Sequence, residues 1–210
     1  MSRWIRSLLS RAPSTARSFP SSGFVTLPIS EKVEEENSEW YSPTRFYPVR
    51  IGQVFESRYQ VVSKVGYGSS STVWLGRDLV FVLLLTLGRL LIHSLLTPCS
   101  DHRYVALKVC VKGYPSVARE SIALERLRSL KKPSPWIQRP LNEFTIHSDD
   151  GSTQHKCFVL EPLSYSLARY TFFLEDEKWS APSIRLATKH VFYALKDLHT
   201  KANLIHCGTS

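Results

Sequence analysis

The sequence predicts an α+β chain, and three observations carry that prediction. Segments of eight or nine residues rich in Val, Tyr, Thr and Phe recur with strand-like patterning; one amphipathic helical stretch separates the third segment from the fourth; and a long helical period follows the last of them. In order, the elements read strand, strand, interruption, strand, helix, strand, strand, helix, helix.

The first pair, RYQVVSKV (58–65) and STVWLGRD (71–78), is β-branched and alternating with a Gly-rich turn between, so it is expected to form a hairpin. RYVALKVCV (103–111) is a third strand. In SVARESIALERLRSLKK (116–132), Glu120, Leu124, Leu127 and Lys131 fall at i, i+4, i+7 and i+11, which places Glu120 on the inward edge of an amphipathic helix. PLNEFTIHS (140–148) and HKCFVLEPL (155–163) flank the polar turn DDGSTQ and make a second hairpin. PSIRLATKHVFYALKDLHTK (182–201) repeats apolar residues at Ile184, Ala187, Val191, Ala194, Leu195 and Leu198, an unbroken core-facing helix with Pro182 at its start.

The 210 residues suffice for one ordinary domain and an unstructured end, with folding proper expected from near Gln53. Lys and Arg number 27 against 18 Asp and Glu, a net charge of +9. Arg3, Arg6, Arg11 and Arg17 all precede the first acidic residue, Glu31, so part of the excess belongs to an N-terminal arm. The remainder is scattered, without clustered Lys and Arg interleaved with aromatics, which excludes a nucleic-acid-binding module. Cys99, Cys110, Cys157 and Cys207 share no CxxC spacing, so neither a zinc site nor a disulfide framework is expected, and reduced thiols suit an intracellular compartment.

Residues 1–46 divide into a basic, Ser-rich arm and an acidic linker. The arm has Trp4, Ile5, Leu8 and Leu9 on one helical face and resembles a mitochondrial presequence; a disordered basic tail is the alternative. The linker, EKVEEENSEWYSPTRFYPVRIG, is expected to make local docking contacts. Within the remaining unit, 47–210, an apolar insertion occupies 79–101. Its stretch from Leu79 to Thr97 is 19 residues long, enough to cross a bilayer as a helix, with Arg89 and His93 inside it. A single crossing there would separate the second strand from the third, so membrane association is disfavoured. Removing 80–101 joins GRDL to HRYVALKV, which marks the block as foreign to the domain.

The chemistry resides in a short constellation. In KVGYGSSSTVWL, Gly66 and Gly68 sit where backbone N–H groups can face phosphate oxygens without a Cβ in the way, although any hairpin turn uses glycine. Lys108, in the apolar strand VALK, carries an ammonium that needs a partner if buried. Glu120 supplies that carboxylate from the helix, whereas Glu125 lies off the inward face.

A Gly-rich loop, a strand ending VALK, a helix with an inward Glu, an apolar strand leading to LEPL and a long helix ending LHTKANLIH together resemble the eukaryotic protein kinases over roughly residues 47–206. The stretch YPVRIGQVFESRYQVVSKVGYGSSSTVWLGRD is most similar to the SR-protein kinases and their fungal relatives, whose loops carry Ser where most kinases have a third Gly, here Ser71. The resemblance implies a protein-kinase-like fold: an antiparallel five-stranded N-lobe, the family's αC helix at 116–132 and the first helices of an incomplete C-lobe. It also implies serine/threonine kinase function with ATP as cofactor. Gly66, Tyr67, Gly68 and Ser69 would cover the phosphates, with Val65 also in the cofactor site; Lys108 would hold the α- and β-phosphates while paired with Glu120; Val73 and Ala106 would sandwich the adenine. Leu160 would be the gatekeeper, the backbone of Glu161 and Leu163 would bond the adenine edge, and His206 would open the catalytic loop.

After His206 the chain reads Cys207, Gly208, Thr209, Ser210, where the family continues into its catalytic Asp. The general base, the Asn for a second Mg2+ and the DFG Asp are thus absent, and the chain is expected to be catalytically inert because truncated. That end and the apolar block are both expected to be translated non-coding sequence. The alternative function is a non-catalytic, pseudokinase-type interaction protein, membrane-associated through 79–97. The resemblance further implies an Arg-Ser-rich protein substrate and a cytoplasmic or nuclear location, against which the N-terminal arm sets a mitochondrial one.

Overall fold

The computed structural model describes residues 14–28, 30–80, 103–132, 134–148, 151–164 and 166–205. Most of the apolar insertion, the start of the basic arm and His206 with the four residues after it lie outside the described residues.

One antiparallel sheet carries the fold: β1 (Val54–Phe55), β2 (Tyr59–Gly68), β3 (Ser71–Asp78), β4 (Arg103–Cys110), β5 (Asn142–His147) and β6 (Gln154–Leu160), in the order β1-β2-β3-β4-β6-β5. The five expected strands are β2 to β6, and the two-residue β1 adds an edge by pairing Val54 with Gln60 and Phe55 with Tyr59. Helix α1 (Pro115–Arg128) crosses from β4 to β5, and α2 (Leu167–Thr171) and α3 (Ala181–Asp197) follow the sheet, α3 ending in a π-turn over Leu198–Ala202.

Strand alternation divides the sheet into a core face and a cleft face. On β4, Val105, Leu107 and Val109 are buried while Ala106 and Lys108 between them are only half-buried. The buried set joins Phe55, Tyr59, Val61, Ile146, Cys157 and Val159 in one cluster. Gly76 on β3 lets that cluster close, because a Cβ there would stand 2.8 Å from Leu107 Cδ1 and 3.2 Å from Val105 Cγ2.

The insertion departs and returns at one place. Asp78 and Arg103 are register partners on β3 and β4, which sets the ends of the intervening chain about 5 Å apart. Arg58 donates to both carboxylate oxygens of the buried Asp78 at 2.8 Å and fixes that end of the hairpin. A single transmembrane crossing would set its ends on opposite sides of a hydrocarbon layer about 30 Å thick. The Asp78–Arg103 pairing is incompatible with that.

Chain upstream of Gln53 packs onto the sheet. Gln60, 1% exposed, accepts from the Arg17 N–H at 2.9 Å through Oε1 and donates Nε2 to the Arg17 carbonyl at 2.7 Å. Ser14 N–H donates to the Leu79 carbonyl at 2.8 Å, and Arg77 Nη1 to the Thr15 carbonyl at 3.0 Å. The acidic run, read as linker, turns into a 3-10 helix at Glu34–Asn37 whose Glu34 and Glu35 carboxylates both pair with Lys64 on β2. Burial pulls the Lys64 pKa down, but the hydrogen bonds to Glu34 and Glu35 outweigh it and the net direction is upward.

Two helical expectations need correction. The helix read as 116–132 stops at Arg128, where Ser129 N–H closes on the Glu125 carbonyl and its hydroxyl donates to Arg126 O at 2.8 Å; Lys131 therefore lies outside the helix. α3 starts as expected, with Ser180 Oγ accepting from the Ser183 N–H and Pro182 in the first turn. It is not buried along its whole stripe: Ile184 and Val191 are 52% and 51% exposed and line an open apolar cavity with Leu167 of α2 and Trp179.

Candidate functional site

The half-buried face of β4 forms the back wall of a cleft of about 570 Å³. Its roof is the β2–β3 hairpin, its floor the backbone that follows β6, and its far side α1. Val65, Tyr67, Gly68, Val73, Ala106, Lys108, Glu120, Leu160, Glu161 and Leu163, each expected at one site from sequence, line this cleft together. Gly66 and Ser69 lie on the same hairpin outside the lining, Gly66 paired with Val73 and Ser69 in the two-residue turn between Gly68 and Ser71. His206 falls outside the described residues.

Each wall follows from local structure. The β2–β3 pairing slips by one residue between Lys64 and Gly66, a bulge that accommodates Val65 and bends the strand over the cleft. A Cβ on Gly66 or on Gly68 would meet nothing within 4 Å, and neither glycine has a left-handed φ. Packing and backbone conformation thus leave the roof open. That space is what an approaching phosphate group needs.

On the back wall, Ala106 pairs with Leu160 and Lys108 with Phe158 across β4 and β6, which aligns the small residue with the entrance to the floor segment. Lys108 Nζ bonds Glu120 Oε1 on α1, their side chains 22% and 30% exposed. The pair is open enough for the ammonium to reach a second anionic group, while the carboxylate fixes its direction. Glu125, the competitor, pairs instead with Arg128 one helical turn on.

Apolar surface dominates the inner end, where Val73, Leu75, Ala106 and Leu160 converge; Ser71, Leu75, Leu124, Gln138, Pro162 and Ser164 complete the lining and were not among the expected site residues. Gln138 belongs to the α1–β5 connection, whose sequence PWIQRPL has no period from which a cleft position could be read. Its Nε2 donates to the Glu161 carbonyl at 2.6 Å. The same connection reaches α3, where Trp136 stacks on His190 with ring centroids 4.3 Å apart, and from α1 Arg126 Nε donates to the Ala202 carbonyl in the turn after α3 at 3.0 Å.

An apolar slot, an oriented ammonium and an open glycine hairpin can hold a flat heterocycle with a polyphosphate. ATP fits this set. Mg2+ does not: among the described residues the carboxylates on the cleft, Glu120 and Glu161, already pair with Lys108 and Arg103, and no cluster of three metal-ligating side chains occurs. Cys110 and Cys157 on the neighbouring strands are free but buried, and burial pushes the Cys110 thiol up to about 12 and Cys157 further, so neither is a nucleophile.

This combination of sheet, helix and Lys–Glu pair is the N-lobe-like arrangement of a partial protein-kinase-like fold, and the chain is a homologue of the serine/threonine protein kinases, SRSF protein kinases among them. A serine/threonine protein kinase of Aspergillus fumigatus is 35% identical over 213 aligned residues, covering all of this chain and 47% of the relative. SRSF protein kinase 3 of Mus musculus is 30% identical over 183 residues, 84% of this chain and 28% of the relative. A serine/threonine-protein kinase named SRPK from Physarum polycephalum is 28% identical over 179 residues, 82% of this chain and 37% of the relative. The chain thus spans less than half the length of these relatives. No protein-family profile matches it.

Proposed function

We propose that the cleft binds ATP as the nucleotide site of a serine/threonine protein kinase of the SR-protein kinase type. The observation that carries this reading is the Lys108–Glu120 ion pair beneath the open glycine hairpin, in a cleft whose inner end is apolar. The base enters between Val73, Ala106 and Leu160, with the backbone of Glu161 and Leu163 along its polar edge. The ammonium of Lys108 takes the α- and β-phosphates, and the hairpin N–H groups close over the remaining charge.

Transfer to a Ser or Thr hydroxyl of a protein substrate, Arg-Ser-rich by kinship with the SRSF kinases, is proposed for the kinase unit of which this cleft is one half. The described residues alone are expected to bind without transferring, because both cleft carboxylates are engaged and none is left to receive a proton or a metal ion. Phosphate incorporation into an Arg-Ser peptide by the 210-residue chain alone overturns this second part.

Calorimetric titration with ATP tests the first part. Lys108→Met removes a charge-assisted phosphate contact worth about 1.5–3 kcal/mol, so affinity should fall roughly 10- to 100-fold. An unchanged Kd in the variant, or no binding by the wild-type chain at millimolar ATP, removes the proposal.

A further inference from the structure

We propose that Gln138 is a latch on the base-binding edge of the cleft, and that it sets how strongly the site prefers a 6-amino purine. The proposal rests on the nucleotide reading above and adds to it a residue outside the expected set.

The Glu161 carbonyl opens the floor segment directly after β6 and lines the cleft. As an acceptor it can take a proton from a base, but here it already takes one from Gln138 Nε2 at 2.6 Å. A carbonyl oxygen offers nothing to donate, so the amide must present its NH2 group to it, and the Gln138 Oε1 is left turned away. Gln138 lines the cleft together with Leu160, Glu161 and Leu163.

A purine whose 6-position bears an amino group brings a second donor to the Glu161 carbonyl, where it competes with Gln138 for the same oxygen. Two donors on one acceptor weaken each other, so the net gain of adenine shrinks by what the Gln138 bond loses. A 6-oxo purine presents an acceptor instead. The Gln138 NH2 can swing to that oxygen, so the latch works for hypoxanthine and against adenine. Through its two-faced amide Gln138 brings the two bases closer in affinity than the backbone alone would.

The test measures Kd for ATP and for inosine triphosphate with the full 210-residue chain and with Gln138→Leu and Gln138→Glu, each checked by its melting curve. Leu frees the carbonyl without replacing the donor. Glu keeps the length of the side chain and can only accept at neutral pH, so it serves where Leu disturbs folding. Removing a neutral competing bond should tighten ATP by about 3- to 10-fold in both variants. Inosine triphosphate should bind no tighter to Gln138→Leu and weaker to Gln138→Glu, so the ratio of the two constants widens at least threefold. A merely structural role for Gln138 moves both nucleotides together.

Binding that persists with a ratio changed less than twofold in both variants overturns the latch and leaves the nucleotide site standing. Failure of either nucleotide to bind the folded wild-type chain overturns the nucleotide reading, and the latch with it.

Discussion

The sheet and α3 use apolar residues to opposite ends. On the sheet, Val61, Leu107, Phe158 and Val159 have no exposed surface, whereas on α3 Ile184, Leu186, Val191 and Phe192 are all more than half exposed. The cleft is built almost wholly by the first region: its ammonium, its apolar walls and its glycine roof stand on β2, β3, β4 and β6, and α1 adds the carboxylate. Stability and site geometry are thus one problem in the sheet, while α3 can change at little cost to either.

The largest expected effect falls where that link is tightest. Leu107→Ala should destabilise the chain by about 2–5 kcal/mol in urea titration, through lost burial and the cavity left behind. Gly76→Ala should cost about 1–3 kcal/mol by overpacking against the same side chain. Because the new methyl would come within 2.8 Å of Leu107 Cδ1, the double variant should be less unstable than the sum of the two. Simple additivity would mean that the backbone, not Leu107, gives way.

Acid should separate the regions more gently. His155, buried on β6 with Nδ1 3.0 Å from the Cys110 carbonyl, has its pKa lowered chiefly by burial, and Lys112 adds to that. An unfolded histidine takes its proton near pH 6.5, so below that value the unfolded chain holds more protons than the folded one. The stability from a neutral His155 is complete above about pH 6.5 and is lost as the pH falls toward its folded pKa. Asp197 on α3 is held below the usual carboxylate range by its hydrogen bonds to Lys201 and Ser134. Its contribution is present above about pH 3.9 and fades only below it. His155→Asn should flatten the fall in melting temperature between pH 7 and 5, and Asp197→Asn should leave that interval unchanged.

Phe192→Ser should be the smallest change, within about 0.5 kcal/mol, since the side chain is 65% exposed. A loss above 2 kcal/mol would show that this face is covered in solution.

Much of this was legible in the sequence because two signals were local. Alternation marked the first hairpin and strand-like composition with a polar turn the other three long strands, and the cost of burying Lys108 without a partner pointed to Glu120 on the inward edge of the helix. What was not legible depends on the chain folding back on itself. Glu34 and Glu35 look like a solvated acidic run until Lys64 lies beneath them. Gln138 carries no periodic signal, and its meaning comes from a carbonyl 23 residues later. For α3 the period marked a core-facing stripe that packs against later helices in the family and is exposed to water where they are lacking, and Ile184 and Val191 are indeed about half exposed; a stripe shows which side is apolar, not what packs on it.

Gln60 bears on where the foldable unit starts. A recombinant version begun at residue 47, where kinase-like sequence starts, would strip Arg17 from this buried amide and Glu34 and Glu35 from Lys64. An unsatisfied buried amide alone costs about 1–3 kcal/mol. An expression boundary at or before Ser14 should therefore give the more stable product, and proteolysis between residues 17 and 34 should loosen the strand that carries the glycine hairpin without cutting it.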